Sequence, residues 1–331
     1  MWSDFFALEN IGELKTFFVR LDNSIPEQAA ISYYISSWAD FVHGKDDDAF
    51  CPGNFLSRDR STVMLGRMPV IFEGTNNWSW KPYYTAEDLI AKTKSLKNRI
   101  SVLRELSPDA RMSLLLIPEK DYLVSQFLLK EDRFSALNAA ITSLRTGLEE
   151  LDIALIYEKP FRGIDKFQTV CDFEYKDSHL PWRSYVSIFG TYLADLGVPW
   201  TDIQQTVTLE KIPQFGDLAA KFDRHFPEPV LVFQPNFPQS TVTQTSGRET
   251  FAEPLGDTWQ DFSNDAALVD QSICLLGDSH CSIYEQRKIT CLCANTFRDT
   301  HFEWNPCGIR KDPDIASYDN VLLEISSRFI V

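Results

Sequence analysis

Positive charge is scarce in this sequence of 331 residues, which has no block of five or more lysines and arginines. Its 32 lysines and arginines are outnumbered by 47 aspartates and glutamates, so the formal net charge is −15. A field of this sign repels phosphate backbones and anionic lipid. We therefore expect no nucleic acid among the partners, and an anionic substrate would have to meet a local basic patch.

The sequence also lacks a long apolar run. A membrane-spanning helix needs roughly 20 consecutive apolar residues, and no stretch approaches that length. The N-terminus has no basic segment, and Asp4, Glu9 and Glu13 interrupt its apolar residues, which is not typical of an export signal. The chain as written is therefore predicted to be cytoplasmic, with no direct membrane insertion. A mature form trimmed from a longer precursor would instead be periplasmic.

A C-x-x-C pair is missing as well, although the chain has seven cysteines. An odd number of cysteines in a chain of this size favours reduced and mostly buried thiols. A metal cluster is the alternative, because five potential ligands lie close together in the sequence: Cys281, Cys291, Cys293, His301 and Cys307. The C-x-C spacing is unsuited to a zinc knuckle, so we expect no metal and no cofactor.

What the sequence does contain is an alternation of strand and helix patterns. From residue 66 onward, strand-like runs such as VMLGRMPVIFEG, ARMSLLLIP and DIALIYEKP alternate with amphipathic helical segments. This pattern predicts a three-layer α/β/α domain over 66–331, with a mostly parallel sheet covered by helices on both faces. The weaker signal at about 201–265 predicts an irregular or hairpin-containing insertion. Residues 1–65 are predicted to form a mainly helical N-terminal extension.

The stretch SICLLGDSH, from Ser272 to His280, places a serine at the end of a buried strand. Sites in open α/β sheets collect at the carboxyl ends of the strands. Gly277 would allow a tight turn there. Ser279 would lie near the start of a helix predicted across SIYEQRKITCLCANTF, whose free N–H groups could face an oxyanion. Ser279 is thus a candidate nucleophile, although serine is also a favoured helix cap.

A reactive serine needs a base, and the base needs an orienting group. The segment KDSHLPW supplies both, because Asp177 and His179 are two residues apart and point the same way in an extended segment. The segment follows a strand and precedes a helix, which would bring it to the same edge of the sheet as Ser279. Each motif is weak alone, but together they predict a triad of Ser279, His179 and Asp177.

The two motifs resemble the SGNH-type (GDSL-like) hydrolase superfamily, and specifically its alginate O-acetyltransferase (AlgX/AlgJ-like) branch. In that branch the Asp-x-His motif lies well upstream of the serine motif, which reverses the usual SGNH order. Here Asp177-Ser178-His179 precedes Gly277-Asp278-Ser279, as the branch requires. The branch usually has a tryptophan directly after the histidine, where this chain has Leu180 with Trp182 nearby.

The resemblance implies an O-acetyltransferase in which a serine acyl-enzyme passes an acetyl group to a hydroxyl of a sugar or polysaccharide. The implied partners are an acetyl donor, either a small molecule or an acetyl-delivering membrane protein, and a glycan acceptor. Two alternatives stay open: a carbohydrate or small-ester acetylesterase with the same triad, and a noncatalytic glycan-binding or assembly protein. Four residues near the motifs are weaker candidates for holding a sugar: Trp182, Tyr284, Arg298 and Trp304.

Overall fold

A computed structural model describes most of the predicted α/β domain. The described residues are 62–65, 68–71, 86–117, 133–157, 177–199, 207–214, 216, 230–248, 258–281 and 288–327. The predicted N-terminal extension lies outside them, apart from its last four residues.

Four helices are present in the described part of the chain. The first two have 21 and 17 residues. None of the four combines the length and the apolar composition of a membrane-spanning helix. Their bounds are α1 Ala86–Leu106, α2 Arg133–Glu149, α3 Trp182–Asp195 and α4 Ile289–Thr296.

Helix α3 shows how the local sequence sets these bounds. It begins directly after Pro181, whose fixed φ suits a helix entrance. The apolar side chains of Tyr185, Ile188 and Tyr192 recur at helical spacing and are buried. The helix ends before Gly197, whose positive φ of 76° is the left-handed conformation that commonly closes a helix. Residues 177–179 are thereby held at the amino end of a helix that packs on the sheet.

The main sheet has seven strands in the order β4-β3-β11-β9-β10-β8-β7. Pairing is parallel from β4 through β10, and β8 and β7 add an antiparallel edge. The bounds are β3 Arg111–Ile117, β4 Ala154–Ile156, β7 Val242–Arg248, β8 Trp259–Asn264, β9 Val269–Gly277, β10 Phe297–Trp304 and β11 Asn320–Ser326. The predicted α/β class with a mostly parallel sheet is confirmed.

Two hydrophobic cores lie on opposite faces of this sheet. Side chains alternate along β9, so Ile273 and Leu275 enter one core while Cys274 and Leu276 enter the other. Helices α3 and α4 cover the first face, which we call the α3 face, and α1 and α2 cover the second, the α1 face. Each fully buried apolar side chain contributes about 1.5–3 kcal/mol of transfer free energy, so burial on both faces fixes the register of β9.

Three local predictions need correction. The segment VMLGRMPVIFEG is an antiparallel pair, β1 Thr62–Leu65 and β2 Met68–Ile71, and not one strand of the main sheet. In DIALIYEKP only three residues form β4, which lies at the edge of the sheet with two of its residues half-buried.

The predicted insertion at 201–265 is only partly an insertion. Two of its strands form a separate antiparallel pair, β5 Thr208–Gln214 and β6 Val230–Asn236. The other two, β7 and β8, extend the main sheet beyond β10. The hairpin-like character of the segment was predicted, whereas its contribution to the main sheet was not.

Candidate active site

The turn after β9 carries Ser279 at the carboxyl edge of the sheet. The N–H group of Cys281 donates to the carbonyl of Asp278 at 3.1 Å, which closes the turn around Ser279. Ser279 itself is half-buried. Gly277, just before the turn, has no positive φ. A Cβ there would lie 2.8 Å from Oε2 of Glu324 and would also collide with Sγ of Cys281, so the glycine is required by space and not by backbone conformation.

Strand β11 fixes this turn through a buried pair of carboxyl groups. The N–H of Asp278 donates to Oε2 of Glu324 at 2.7 Å, and the Asp278 carboxylate accepts from the N–H groups of His280 at 2.8 Å and Ser326 at 3.3 Å. Burial and the neighbouring charge of Asp278 raise the pKa of Glu324 well above its usual range. A neutral Glu324 avoids placing two like charges next to each other in the interior.

Asp177 and His179 form the hydrogen-bonded pair that their spacing predicted. One carboxylate oxygen, Oδ1, accepts from the N–H of His179 at 2.9 Å and also contacts its Nδ1. The other, Oδ2, accepts from Nε2 of Gln214 at 2.7 Å. Burial opposes ionisation of Asp177, but the hydrogen bond and charge of His179, with a further effect of Lys288, hold its pKa well below the usual range. The carboxylate is therefore ionised and positioned to orient the imidazole.

The second ring nitrogen of His179, Nε2, is not engaged by Asp177. Because Nδ1 faces Asp177, Nε2 is the nitrogen that points away from the carboxylate, and it is buried with no hydrogen-bond partner in the part of the chain that the structure describes. The ring of His179 lies edge-to-face on that of His280, with 5.1 Å between the ring centroids. His280 directly follows Ser279, so the structure brings the Asp-x-His segment and the serine turn together.

Three side chains that the sequence did not single out complete this site. The hydroxyl of Tyr185 lies 3.0 Å from Nδ1 of His280, and burial raises the pKa of Tyr185 well above its usual range, so the phenol keeps its proton. Lys288 donates to the carbonyl of Ser279 at 2.8 Å. Gln214, at the end of β5, binds Asp177. No motif marks these residues: the partners of Tyr185 and Gln214 lie far away in the sequence, and Lys288 follows Ser279 by nine positions without any recognisable pattern.

The described part of the chain contains the second part of the helix predicted after Ser279. Ser279, His280 and Cys281 belong to a turn, and α4 begins only at Ile289, after Lys288 in a non-helical conformation. The prediction that the first amides of a helix across 282–297 face Ser279 concerns the first turn of that helix, before α4, and stays a prediction. Residues 282–287 lie outside the described part.

The four predicted sugar-binding residues are placed differently. Trp304 ends β10 opposite Gly277, and Trp182 begins α3, where its ring lies edge-to-face on Phe237. Arg298 pairs with Asp270 at 2.8 Å at the amino end of β10. Arg298 lies six residue steps along β10 from Trp304, or roughly 20 Å at about 3.3 Å per step, so the prediction that Arg298 serves the Ser279 site is corrected. Tyr284 lies outside the described residues.

The cysteines of the described chain are buried free thiols. Cys281 and Cys293 belong to the α3 face, whereas Cys307 belongs to the α1 face and His301 binds Asp261 at 2.6 Å. The potential ligands that cluster in the sequence are therefore separated in space. Within the described ranges, no group of three or more histidine, cysteine, aspartate or glutamate side chains is arranged to hold a metal ion.

No protein-family model matches the chain, and no curated protein matches its sequence. Solved structures do match. Bacillus cereus PatB1 is 14% identical over 84% of this chain and 97% of its own, with a TM-score of 0.50. This chain shares the PatB1 fold.

Two further structures are similar at TM-scores below 0.5 and add nothing to that conclusion. The O-acetyltransferase domain of Pseudomonas putida AlgJ is 13% identical over 84% of this chain and 92% of its own, with a TM-score of 0.48. A DHHW family protein from Eubacterium siraeum is 11% identical over 71% of this chain and 85% of its own, with a TM-score of 0.46. The likeness to PatB1, together with the sheet described above, agrees with the predicted α/β class with a mostly parallel sheet.

Proposed function

We propose that this protein is an O-acetyltransferase that carries an acetyl group on Ser279 and passes it to a hydroxyl of a sugar or polysaccharide. One observation carries the proposal. Nε2 of His179 is buried and has no hydrogen-bond partner among the described residues, its Nδ1 contacts an ionised Asp177, and its ring packs on the residue next to Ser279. An imidazole that is oriented by a carboxylate and keeps Nε2 unoccupied near a serine supports the role of general base.

The proposed reaction has two halves. In the first, Nε2 of His179 takes the proton of the Ser279 hydroxyl while Oγ attacks the carbonyl carbon of an acetyl ester or thioester. The tetrahedral intermediate collapses, the donor leaves with the proton from His179, and acetyl-serine remains. In the second half His179 takes a proton from a sugar hydroxyl, whose oxygen attacks the acetyl carbon. Ser279 then recovers its proton from His179, and the sugar leaves as an acetyl ester.

The backbone around Ser279 supplies the proposed oxyanion donor. The N–H groups of Asp278, His280 and Cys281 are already used by Glu324, Asp278 and the turn. Among the described residues of the turn, the N–H of Ser279 is the one left over. A donor on the nucleophile's own residue is well placed to stabilise the developing oxygen charge.

The acceptor distinguishes a transferase from the alternatives. Native protein and the Ser279→Ala variant would be incubated with p-nitrophenyl acetate, with and without a panel of neutral and acidic oligosaccharides. A transferase yields acetylated sugar from native protein only. Release of p-nitrophenol without acetylated sugar would select the acetylesterase, and the absence of both products would select a noncatalytic glycan-binding protein. Ser143→Ala, an exposed serine on α2, serves as the matched control.

A further inference from the structure

A cationic pocket of about 630 Å³ opens beside α1, away from the residues proposed for acyl transfer. Four cations line it, Lys92, Arg99, Arg310 and Lys311, and Asp312 is the carboxylate among the described residues of the lining. In a chain with a formal charge of −15, this local excess of positive charge runs against the overall composition. An anionic ligand needs such a local basic patch to bind a protein whose net charge is strongly negative.

The pocket has a rigid wall on α1. Lys92, Leu96 and Arg99 are spaced so that they share one face of the helix. Leu96 is buried in the core, and Ile325 of β11 is buried below it. These side chains, with the exposed Ile309, give the pocket an apolar part beside its cations.

The opposite wall is a loop that the protein holds in place. Arg99 binds the carbonyls of Gly308 and, at 3.3 Å, Lys311, and it pairs with Asp312 at 2.9 Å. Asn305, fully buried, accepts from the N–H of Arg310 at 2.9 Å and donates to the carbonyl of Lys311 at 2.9 Å. The loop is thus ordered before any ligand arrives, which lowers the entropic cost of binding.

Arg310 differs from the paired cations of the pocket. Asp312 is paired with Arg99, and Lys311 lies 3.3 Å from Glu303. The guanidinium of Arg310 is exposed and makes no hydrogen bond or ion pair within the described part of the chain. Arginine offers several donors in a plane that matches two oxygens of a phosphate group.

We propose that this pocket binds the phosphate group of a small organic molecule, with Arg310 and Lys92 on the phosphate and the carbon part against Leu96 and the exposed Ile309. A phosphate monoester carries more negative charge than a single carboxylate, so several cations on two walls favour it. The volume lies within the range of small-molecule sites.

The pocket and the Ser279 turn lie at the same edge of the sheet on opposite faces. Ile325 belongs to the α1 face, while its neighbours in β11, Glu324 and Ser326, hold Asp278 beside Ser279. The phosphate site is therefore separate from the proposed acyl-transfer site, and its test does not depend on acetyl transfer.

Isothermal titration calorimetry at low ionic strength, with glucose 6-phosphate as the probe, tests the proposal. We expect one site on the native protein. Arg310→Ala should weaken binding about tenfold or more, because a hydrogen-bonded ion pair is lost, and Lys92→Gln should weaken it as well. Arg145→Ala removes an equally exposed arginine from α2, outside the pocket, and should leave the affinity unchanged. Glucuronate should bind more weakly than glucose 6-phosphate, and glucose should not bind measurably.

Several results would overturn the assignment. Absence of heat with glucose 6-phosphate would exclude the site, and an equal loss in Arg145→Ala would reduce it to a general charge effect. Tighter binding of glucuronate would replace phosphate by carboxylate as the preferred anion. Circular dichroism of each variant verifies folding, which Arg310→Ala should preserve because its side chain is exposed.

Discussion

The imidazole rings of His179 and His280 lie edge-to-face with their centroids 5.1 Å apart. Neither ring is freely exposed, since His280 is only 1% accessible and His179 is held by Asp177. This contact joins two segments that lie far apart in the sequence, and one of them contains Ser279. The proposed triad therefore depends on packing between α3 and the turn after β9, as well as on hydrogen bonds.

Gln214 is predicted to act as a positioning residue for Asp177. Its amide donates to Oδ2 of Asp177, a bond to an ionised acceptor. Such bonds contribute about 1.5–3 kcal/mol, so Gln214→Leu should lower the rate of serine acylation about 10- to 100-fold. The loss should appear in kcat more than in KM, because the bond orients the base and does not touch the substrate.

The control for this prediction is Gln234→Leu, a half-buried glutamine on β6. It should leave the acylation rate unchanged. Equal rates for native protein and Gln214→Leu, measured by stopped-flow release of p-nitrophenol, would show that Asp177 needs no second partner.

Gly277 is predicted to tolerate no side chain. A Cβ would lie 2.8 Å from Oε2 of Glu324 and collide with Cys281, and both groups are buried. Overpacking of this kind costs about 1–3 kcal/mol, so Gly277→Ala should lower the free energy of unfolding by that amount and displace the turn around Ser279. Urea denaturation followed by fluorescence measures the change.

The matched control is Gly147→Ala on α2. A Cβ at Gly147 meets only atoms of the flexible Lys97 side chain, and alanine favours a helix. This variant should be neutral or slightly more stable. If the two alanine variants had the same stability, the close packing at Gly277 would be refuted.

His301 should make the stability of the fold depend on pH. Its Nδ1 lies 2.6 Å from Oδ1 of Asp261, and Glu303, itself 3.3 Å from Lys311, faces its other nitrogen. Burial lowers the pKa of His301, but the hydrogen bonds of Glu303 and Asp261 outweigh it, so the pKa rises above 6.5. A raised pKa stabilises the fold fully below pH 6.5, and this contribution is lost as the pH rises through the folded-state pKa.

Glu303 sets the lower limit of the pH range in which this pair stabilises the fold. Burial raises the pKa of Glu303, but the opposing effect of His301 and Lys311 is larger, so the pKa lies below 4.5. The contribution of Glu303 to stability is therefore lost only as the pH falls through that lowered pKa. His301→Gln should therefore cost about 1–3 kcal/mol between about pH 5 and 6.5 and less at pH 9. Thermal and urea denaturation across this range would measure the difference, and a pH-independent loss would contradict the charged pair.

The central strands and the helices that cover them were predictable, because buried positions carry apolar residues that form a recognisable pattern in the sequence. β3, β9 and β11 each contain an uninterrupted apolar stretch, namely 114–117, 273–276 and 321–323, and α3 repeats its apolar residues at helical spacing. β10 was missed because it reads FRDTHFEW, and its polar residues are satisfied by neighbours such as the Asp261 partner of His301.

The sequence predicted the pair of Asp177 and His179 and its approach to the turn of Ser279, but not the more distant partners of these residues. The bond between Asp177 and His179 follows from their spacing. The bond between Gln214 and Asp177 joins residues 37 positions apart, and the contact of Tyr185 with His280 spans 95. No local periodicity encodes such contacts, since they depend on how β5 and α3 meet the sheet.

The central claim is that Ser279 carries the acyl group. Its most direct test is intact-mass spectrometry of native protein, Ser279→Ala and Asp177→Asn after brief exposure to p-nitrophenyl acetate. We predict one acetyl group on native protein, mapped by peptide analysis to Ser279, none on Ser279→Ala, and far slower labelling of Asp177→Asn because the imidazole loses its orientation. An acetyl group that forms equally on Ser279→Ala, or one that maps to another residue, would contradict the account.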